Sequence, residues 1–303
     1  MGLFEQDRDL VGYGRRPPKV VWPGEARVAV NVVVAYEEGS EYSHSAGDGR
    51  REFLGEFPLS PDVTEPDLLV ESVFQYGSRA GIWRLGRILD EQGVKATLLA
   101  CAAAIELNPE VGRYVAEAGH DVCCHGWRYE DLNVLSEDEE RERLHRAVAS
   151  IERTCGERPV GWFGRGSTGR TRRLLVEEGG FVYDSDAMDD DLPYLVTVED
   201  RSLVVVPYSF VQNDGQTLGP LGNSTPAGLL DTWCRALDEL WREGATHPRM
   251  MTVAMHARWM GQPARAGVLR QFLEYAQEKG DVWLARRRDI AEWWLAHHEE
   301  FRP

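Results

Sequence analysis

The sequence lacks an excess of basic residues, and this limits the classes of partner it can bind. Its 303 residues include 34 Lys and Arg against 50 Asp and Glu, which gives a formal net charge of -16 at pH 7. Because nucleic-acid phosphates bind to basic faces, this balance argues against a nucleic-acid partner. A small-molecule substrate fits the composition better.

Cysteine is also scarce. The five cysteines, an odd number, include the adjacent pair Cys123 and Cys124 and lie within apolar stretches. Their spacing matches neither a disulfide framework nor a zinc cluster. We therefore expect reduced cysteines in the core, with a redox role as the alternative.

Long apolar runs are missing as well. No run approaches the roughly 20 residues that a membrane-spanning helix needs. The stretch from Met1 to Asp9 lacks the basic and apolar regions of a secretion signal. These features predict a cytoplasmic protein that does not bind to a membrane.

What the sequence does contain is an alternation of strand and helix patterns. β-Branched residues dominate the run 27–36, which predicts a buried strand. Helical patterns at 68–92 and 102–118, and a capping box of Ser136 with Glu139 that opens a helix ending near Gly156, lie between strand patterns. This alternation predicts a largely parallel sheet covered by helices. The further predicted strands are 96–101, 121–125, 160–164, 181–184, 203–208, 250–255 and 282–285.

The alternation predicts one domain preceded by an arm. Residues 1–25 have no periodic apolar pattern and contain three prolines, which is typical of an extended arm. Residues 26–303 are predicted to form a single closed or nearly closed β/α barrel, with an open doubly wound sheet as the alternative. The polar, glycine-rich stretch 37–66 is predicted to be a functional loop or a small insertion.

Acidic and basic side chains follow several of the predicted strands. In parallel β/α folds, ligands bind beyond the carboxyl ends of the strands. Two adjacent carboxylates there repel each other, so we expect one raised pKa and one ionised group, with a solvated acidic turn as the alternative. The residues at these positions are Glu37, Glu38, His125, Arg165, Asp184, His256 and Arg258.

An ordered set of motifs resembles the polysaccharide deacetylase (NodB-homology) superfamily over residues 26–290. The motifs are Tyr36-Glu37-Glu38-Gly39, His125-Gly126-Trp127-Arg128-Tyr129-Glu130, Gly164-Arg165, Asp184-Ser185-Asp186 and Met255-His256. The stretches 9–15, 76–83 and 184–194 are most similar to the branch of allantoinases and related cyclic-amide hydrolases. The resemblance implies a single-domain distorted (β/α)7-8 barrel, hydrolysis of amide-type carbon-nitrogen bonds and often a divalent metal.

Two substitutions in these motifs bear on the metal. Where zinc-dependent members carry Asp-Asp and a second histidine four residues after the first, this sequence has Glu37-Glu38 and Tyr129. Zinc needs at least three good protein ligands. We therefore expect a mechanism without metal; if zinc is bound, the expected ligands are Glu38 and His125, with a third ligand unidentified.

The resemblance implies roles for the strand-end residues. Glu37 is expected to act as general base on a water molecule, Arg165 to hold its carboxylate, and His256 to protonate the leaving nitrogen. The expected substrate is a small cyclic amide such as allantoin, a hydantoin or an imide. The residues predicted to bind or orient it are Glu38, Arg79, His125, Trp127, Tyr129, Asp184 and Arg258.

Other functions and the assembly stay open at this point. A zinc-dependent polysaccharide or N-acyl deacetylase is one alternative, and a catalytically inactive ligand-binding barrel is another. We expect a homodimer or homotetramer in which the arm, the 37–66 loop or the C-terminal helix with Trp293 and Trp294 covers a partner subunit. Packing of these segments against their own barrel is the alternative.

Overall fold

The computed structural model describes residues 8–52, 64–217 and 225–301. Its strands are β1 (Val28–Tyr36), β2 (Thr97–Ala100), β3 (Asp121–Cys124), β4 (Gly161–Trp162), β5 (Tyr183–Asp184), β6 (Tyr194–Val198), β7 (Arg201–Val205), β8 (Arg249–His256) and β9 (Val282–Ala285). Its helices are α1 (Leu68–Tyr76), α2 (Ile82–Gln92), α3 (Ala102–Leu107), α4 (Pro109–Ala118), α5 (Glu137–Cys155), α6 (Gly169–Glu178), α7 (Asp214–Thr217), α8 (Pro226–Glu243), α9 (Ala257–Met260), α10 (Pro263–Lys279) and α11 (Arg287–His297). A π-helical turn, Gly77–Gly81, joins α1 to α2.

The strands form one curled sheet with the order β6-β7-β5-β4-β3-β2-β1-β8, and β9 pairs with the first half of β1. All pairs are parallel except β6 with β7. With helices packed against it, the sheet makes a single-domain half-barrel. The predicted distorted β/α barrel is confirmed.

Strand β1 is the centre of the sheet, and every one of its residues is buried. Successive side chains of a strand point to opposite faces. Val28, Val30, Val32 and Val34 pack with the helices in one apolar cluster, and Ala29, Val33 and Ala35 belong to a second cluster inside the curl. The strand needs apolar residues on both faces because both are covered.

A buried arginine closes the inside of the curl. The guanidinium of Arg287 donates to Asn31 Oδ1 at 2.9 Å, to Ser185 Oγ at 2.8 Å and to the carbonyl of Pro207 at 3.1 Å. These partners lie on or beside β1, β5 and β7. One side chain thereby ties distant strands together through neutral oxygens.

Eight of the strands match predicted ones, although β2, β4 and β5 are shorter than predicted, β7 begins and ends earlier, and β8 is longer; β6 was not predicted. It pairs antiparallel with β7 across Glu199 and Asp200, which have φ angles of 47° and 66°. A two-residue hairpin turn needs positive φ angles and usually contains glycine or asparagine. The turn sequence Glu-Asp carries no such signal.

The helix predictions are confirmed with two refinements. The helix at 68–92 is continuous but contains the π-helical turn, and the helix at 102–118 is divided before Pro109, which has no N–H to continue the first helix. The capping box that opens α5 is present. The five cysteines are free and four of them are buried, as predicted.

Three predicted features are described only in part, because residues 1–7 of the arm, residues 53–63 of the long loop and residues 302–303 lie outside the described residues. In the described part of the loop, Arg128 donates to Asp48 Oδ1 at 2.8 Å and to the carbonyl of Glu41 at 2.8 Å. Among the described helices, none is both long enough and apolar enough to cross a lipid bilayer.

Candidate active site

A carboxylate and two imidazoles meet at the carboxyl ends of the strands. Glu37 follows β1, His125 follows β3 and His256 ends β8. Glu37 Oε1 lies 3.4 Å from His125 Nε2 and 3.7 Å from His256 Nε2. The parallel register, which sets Ala35 opposite His256, brings these strand ends to one edge of the sheet. Three residues selected from the sequence therefore form one cluster.

Hydrogen bonds fix which nitrogen of each imidazole faces the carboxylate. Nδ1 of His125 donates to the carbonyl oxygen of Phe163. Nδ1 of His256 donates to Asp214 Oδ1 at 2.7 Å, and the backbone N–H of His256 donates to Asp214 Oδ2 at 2.9 Å. Because carbonyl and carboxylate oxygens only accept, Nδ1 carries a proton in both rings. The Nε2 atoms are left to exchange protons near Glu37.

Asp214 is a site residue that the sequence reasoning missed. It is fully buried and begins the one-turn helix α7, 42 residues before His256. It follows no predicted strand, so the search at strand ends passed over it. The only signal was a turn-forming Asn213-Asp214-Gly215 run, which is common in loops.

The arginine that holds Glu37 is Arg258, and the expectation that Arg165 does so was wrong. Arg258 Nη1 lies 2.7 Å from Glu37 Oε2 and 3.7 Å from Glu38 Oε1. Its guanidinium is packed between the rings of Phe74 and Trp259, 4.6 Å from each centroid. Arg258 is 3% exposed and its guanidinium is engaged with Glu37, so it is not the free guanidinium that the predicted contact with a substrate carbonyl requires.

Arg165 lies at the edge of the cluster and pairs with other carboxylates. Its Nη1 lies 2.8 Å from Glu52 Oε2, and its Nε lies 2.9 Å from Asp131 Oδ1. The guanidinium also covers the ring of Tyr129, at 4.3 Å from its centroid. Arg165 therefore anchors the long loop and Tyr129. Neither Glu52 nor Asp131 belongs to a sequence motif that would have indicated these two ion pairs.

The two adjacent glutamates differ in their titration, as expected for a crowded pair. Burial acts to raise the pKa of Glu37, but the Arg258 guanidinium and the two imidazoles outweigh it and hold that pKa well below its usual range. Burial raises the pKa of Glu38 to about 7, and the charge of Glu37 adds to the rise. Glu37 is thus a permanent carboxylate, whereas Glu38 is substantially protonated near neutral pH.

Glu38 is directed away from the imidazoles, toward the helices. One of its oxygens accepts from the backbone N–H of Glu37 at 2.6 Å, and Oε1 lies against Gly77. A Cβ atom at position 77 would lie 2.3 Å from this oxygen. Similarly, a Cβ at Gly81 would lie 2.1 Å from the carbonyl oxygen of Ala257. The glycines of the π-helical turn let it approach both β1 and α9.

Tyr129 lies beside the cluster, where the resemblance suggested a zinc-binding histidine. Its ring centroid is 5.4 Å from that of His125. The negative charge of Glu37 raises the pKa of the Tyr129 hydroxyl, and burial adds to this. The phenol therefore keeps its proton and can donate a hydrogen bond to an oxygen that gains negative charge.

The remaining predicted binding residues are placed elsewhere. Trp127 is 8% exposed and packs in the helix-facing cluster beneath the guanidinium of Arg146, so core packing explains it. Asp184 is 1% exposed, pairs with Arg172 and accepts from the N–H of Asp186. These contacts give Trp127 and Asp184 structural roles in place of the predicted contact with substrate. Arg79 lines a cleft beside Glu38.

The side chains of the cluster do not suit a zinc ion. The expected ligands Glu38 and His125 are not brought together, because Glu38 Oε1 faces Arg258 while His125 faces Glu37. In the described parts of the chain, no group of three or more His, Cys, Asp or Glu side chains is arranged to hold a metal. A buried guanidinium already neutralises the carboxylate that a cation would need.

The sequence matches the family described as polysaccharide deacetylase over residues 62–181. A Schizosaccharomyces pombe protein that carries the polysaccharide deacetylase name is 32% identical over 97% of this chain and 98% of its own length. This chain belongs to the polysaccharide deacetylase family. The predicted membership is thereby confirmed, and with it a hydrolase that acts on carbon-nitrogen bonds.

Two solved structures match almost the whole chain. PuuE allantoinase is 38% identical, with a TM-score of 0.92 over 97% of this chain and 99% of its own. A Pseudomonas aeruginosa PAO1 protein described as a probable polysaccharide deacetylase is 40% identical, with a TM-score of 0.92 over 98% of this chain and 100% of its own. One of these structures is named an allantoinase and the other a probable polysaccharide deacetylase, so family membership leaves the substrate to be determined.

Proposed function

We propose that this hydrolase opens a small cyclic amide by base-activated attack of water. The observation that carries the proposal is the contact of the ionised Glu37 carboxylate with two imidazole Nε2 atoms, at 3.4 and 3.7 Å. The arrangement supplies a base, a proton carrier and a second imidazole within one cluster. These are the groups that amide hydrolysis requires.

In the proposed mechanism, Glu37 and His256 each gain one proton and lose one proton, so both return to their starting states. Glu37 takes a proton from water as the oxygen bonds to the amide carbon, and protonated His256 gives a proton to the nitrogen as the carbon-nitrogen bond breaks. Glu37 then returns its proton to His256 Nε2, 3.7 Å away. Water is consumed, and a carboxyl group and an N–H form. The Asp214 carboxylate, 2.7 Å from Nδ1, stabilises the imidazolium in this cycle.

His125 and Tyr129 have supporting roles in the proposal. With Nδ1 bonded to the Phe163 carbonyl, His125 presents Nε2 beside Glu37, where it can orient the attacking water. The protonated phenol of Tyr129 donates to the carbonyl oxygen as that oxygen becomes negative. A preorganised donor of this kind is worth about 3 to 4 kcal/mol of transition-state stabilisation.

Burial of the cluster favours a small substrate. Glu37 is 1% exposed and His125 is 3% exposed, at the bottom of the barrel mouth. A compact ring can bring its carbonyl to this depth more readily than an extended polymer can. The similarity to PuuE allantoinase over 97% of the chain supports the same substrate class, a cyclic ureide, hydantoin or imide.

Hydrolysis of an N-acyl sugar is the second candidate. The 40% identity to the P. aeruginosa protein favours it. The lack of a three-ligand group among the described residues weighs against the zinc-dependent form of that reaction. An inactive ligand-binding barrel has less support, because the contacts of His256 with Glu37 at 3.7 Å and with Asp214 at 2.7 Å are of the kind that proton transfer needs.

A substrate panel tests the proposal. Purified protein is assayed with allantoin, hydantoins, cyclic imides, formamides and N-acetylglucosamine oligomers, before and after treatment with a strong chelator. We expect turnover of at least one cyclic amide that survives chelation. If only the N-acetyl sugars are turned over, the cyclic-amide proposal is wrong and hydrolysis of an N-acyl sugar is supported instead. If nothing is turned over but one of these compounds raises the melting temperature, the inactive barrel is supported instead.

A further inference from the structure

A cleft of about 370 Å³ lies on the helix side of β1, next to the catalytic cluster. The segment that follows β1 forms one wall, and α1 with the π-helical turn forms the other. Its volume lies within the range of small-molecule sites. The lining residues used below are Glu38, Glu41, Glu71 and Arg79.

Glu38 separates this cleft from the reaction centre. Adjacent residues at a strand end point to opposite faces, so Glu37 faces the imidazoles while Glu38 faces the helices. Arg258 Nη1 lies between them, 2.7 Å from Glu37 Oε2 and 3.7 Å from Glu38 Oε1. A molecule in the cleft therefore meets Glu38 without displacing substrate from Glu37.

A buried oxygen in the cleft wall lacks a hydrogen-bond donor. Glu38 is 2% exposed, and its Oε1 has no hydrogen bond, although its other oxygen accepts from the backbone. A buried acceptor without a donor is unfavourable, because it has given up its hydrogen bonds to water. A ligand that brings N–H donors into the cleft would recover part of this free energy.

The charges around this oxygen indicate the type of ligand. Glu41 and Glu71 join Glu38 in the lining, and each is held in place, Glu41 by the N–H of Gly39 at 2.7 Å and Glu71 by the hydroxyl of Ser45 at 2.8 Å. Arg79, eight residues farther along the same helical run than Glu71, is exposed and has no ion pair within the described part of the chain. Three carboxyl groups and one guanidinium complement a cation and an anion on the same molecule.

We propose that this cleft is a second binding site, for a small ω-amino acid or a similar zwitterion. Its ammonium group, with three N–H donors, would lie among Glu38, Glu41 and Glu71, and its carboxylate would meet the fork of Arg79. Glu71 and Arg79 are eight residues apart on one helical run, about 12 Å along the axis. The two charges of the ligand must therefore be several bonds apart.

Calorimetric titration of the full chain at pH 8 tests the site. The probes are 4-aminobutyrate, butylamine with only the cation, and butyrate with only the anion. We expect saturable binding of 4-aminobutyrate, and at least tenfold weaker binding of each of the other two. Glu71→Gln and Arg79→Gln should each weaken 4-aminobutyrate binding at least fivefold, and Arg79→Gln should remove the preference over butylamine.

Matched control variants distinguish binding in the cleft from binding at the catalytic cluster and from an effect of net charge. Glu117→Gln and Arg87→Gln make the same charge changes at exposed helix positions and should leave binding unchanged. Glu37→Gln should retain binding even though it removes catalysis. The inference is overturned if 4-aminobutyrate gives no saturable heat, if all three probes bind equally, if the cleft variants bind normally, or if Glu37→Gln abolishes binding.

Discussion

Arg258 Nη1 and Glu37 Oε2 lie 2.7 Å apart, in a buried pair that determines the charge of the carboxylate proposed as general base. The guanidinium is enclosed by two aromatic rings and has little freedom to move away. A base is efficient only while it is ionised, and this pair keeps Glu37 ionised despite its burial. The pair therefore controls the pH range of the reaction.

Replacing Arg258 should move the acid limb of the pH profile. Without the cation, burial raises the pKa of Glu37, so kcat/KM of Arg258→Met should begin to fall at a higher pH than in the wild type. Breaking a buried ion pair also costs about 3 to 5 kcal/mol of stability, so circular dichroism must show a folded protein. Arg258→Lys keeps the charge and should restore much of the acid limb. An unchanged limb in a folded Arg258→Met would contradict the role assigned to this pair.

Glu37→Gln removes the base and keeps the shape of the side chain. We expect kcat to fall by about 10²- to 10⁴-fold, because general-base catalysis contributes that much. The melting temperature should fall, since the buried Arg258 guanidinium loses its counter-charge, so kcat must be measured on folded protein. Steady-state kinetics and thermal unfolding measure the two effects. Full activity in this variant would remove Glu37 from the mechanism.

Asp214→Asn tests the orientation of His256. The amide can no longer stabilise an imidazolium at Nδ1, and it can present an N–H where the carboxylate accepted. We expect a large loss in kcat, about 10²- to 10⁴-fold, with KM nearly unchanged, since Asp214 is fully buried and lies behind His256. A purely structural role would instead lower the melting temperature and leave kcat of the folded protein intact.

Glu38 should make stability depend on pH. Burial raises its pKa from 4.5 to about 7, so the folded state binds this proton more tightly than the unfolded chain does. The stability that this bound proton contributes is complete below pH 4.5 and is lost as the pH rises through about 7. In the wild type, the free energy of unfolding should fall by on the order of 3 kcal/mol between pH 5 and pH 9, at about 1.4 kcal/mol per pKa unit. Glu38→Gln should remove this fall.

Urea unfolding at both pH values measures this effect. Glu41, whose pKa burial also raises to about 7, should contribute in the same direction, so Glu41→Gln should reduce the loss further. Glu117→Gln at an exposed helix position is the control. An identical pH dependence in wild type and Glu38→Gln would show that Glu38 titrates normally.

The strand-end rule selected three residues that lie together in the structure, because the rule depends on simple geometry. Strands of one parallel sheet end at one edge, so Glu37, His125 and His256 could be selected from the sequence before any contact was known. The same rule explains why the fold class was predictable. The strand patterns are clear at 27–36 and 250–255, and helical patterns separate most of the predicted strands.

The partner of Glu37 could not be predicted in the same way. β8 lies beside β1 although more than two hundred residues separate them in the chain, and β9, the last strand, pairs only with the first half of β1. The register that sets Ala35 opposite His256 also brings Arg258 next to Glu37. The motif Gly164-Arg165, at the end of the predicted strand 160–164, favoured Arg165, which instead pairs with Glu52 and Asp131.

The glycine contacts between the π-helical turn and α9 have a consequence for engineering this protein. Gly81 lies against the Ala257 carbonyl and against Gly261, with no room for a methyl group at position 81. Any larger residue there must push α9 outward, and α9 carries Arg258 and directly follows His256. A substitution at Gly81, which has no reactive side chain, would thus displace Arg258 and His256 together. Libraries aimed at new substrates should therefore keep Gly81 fixed.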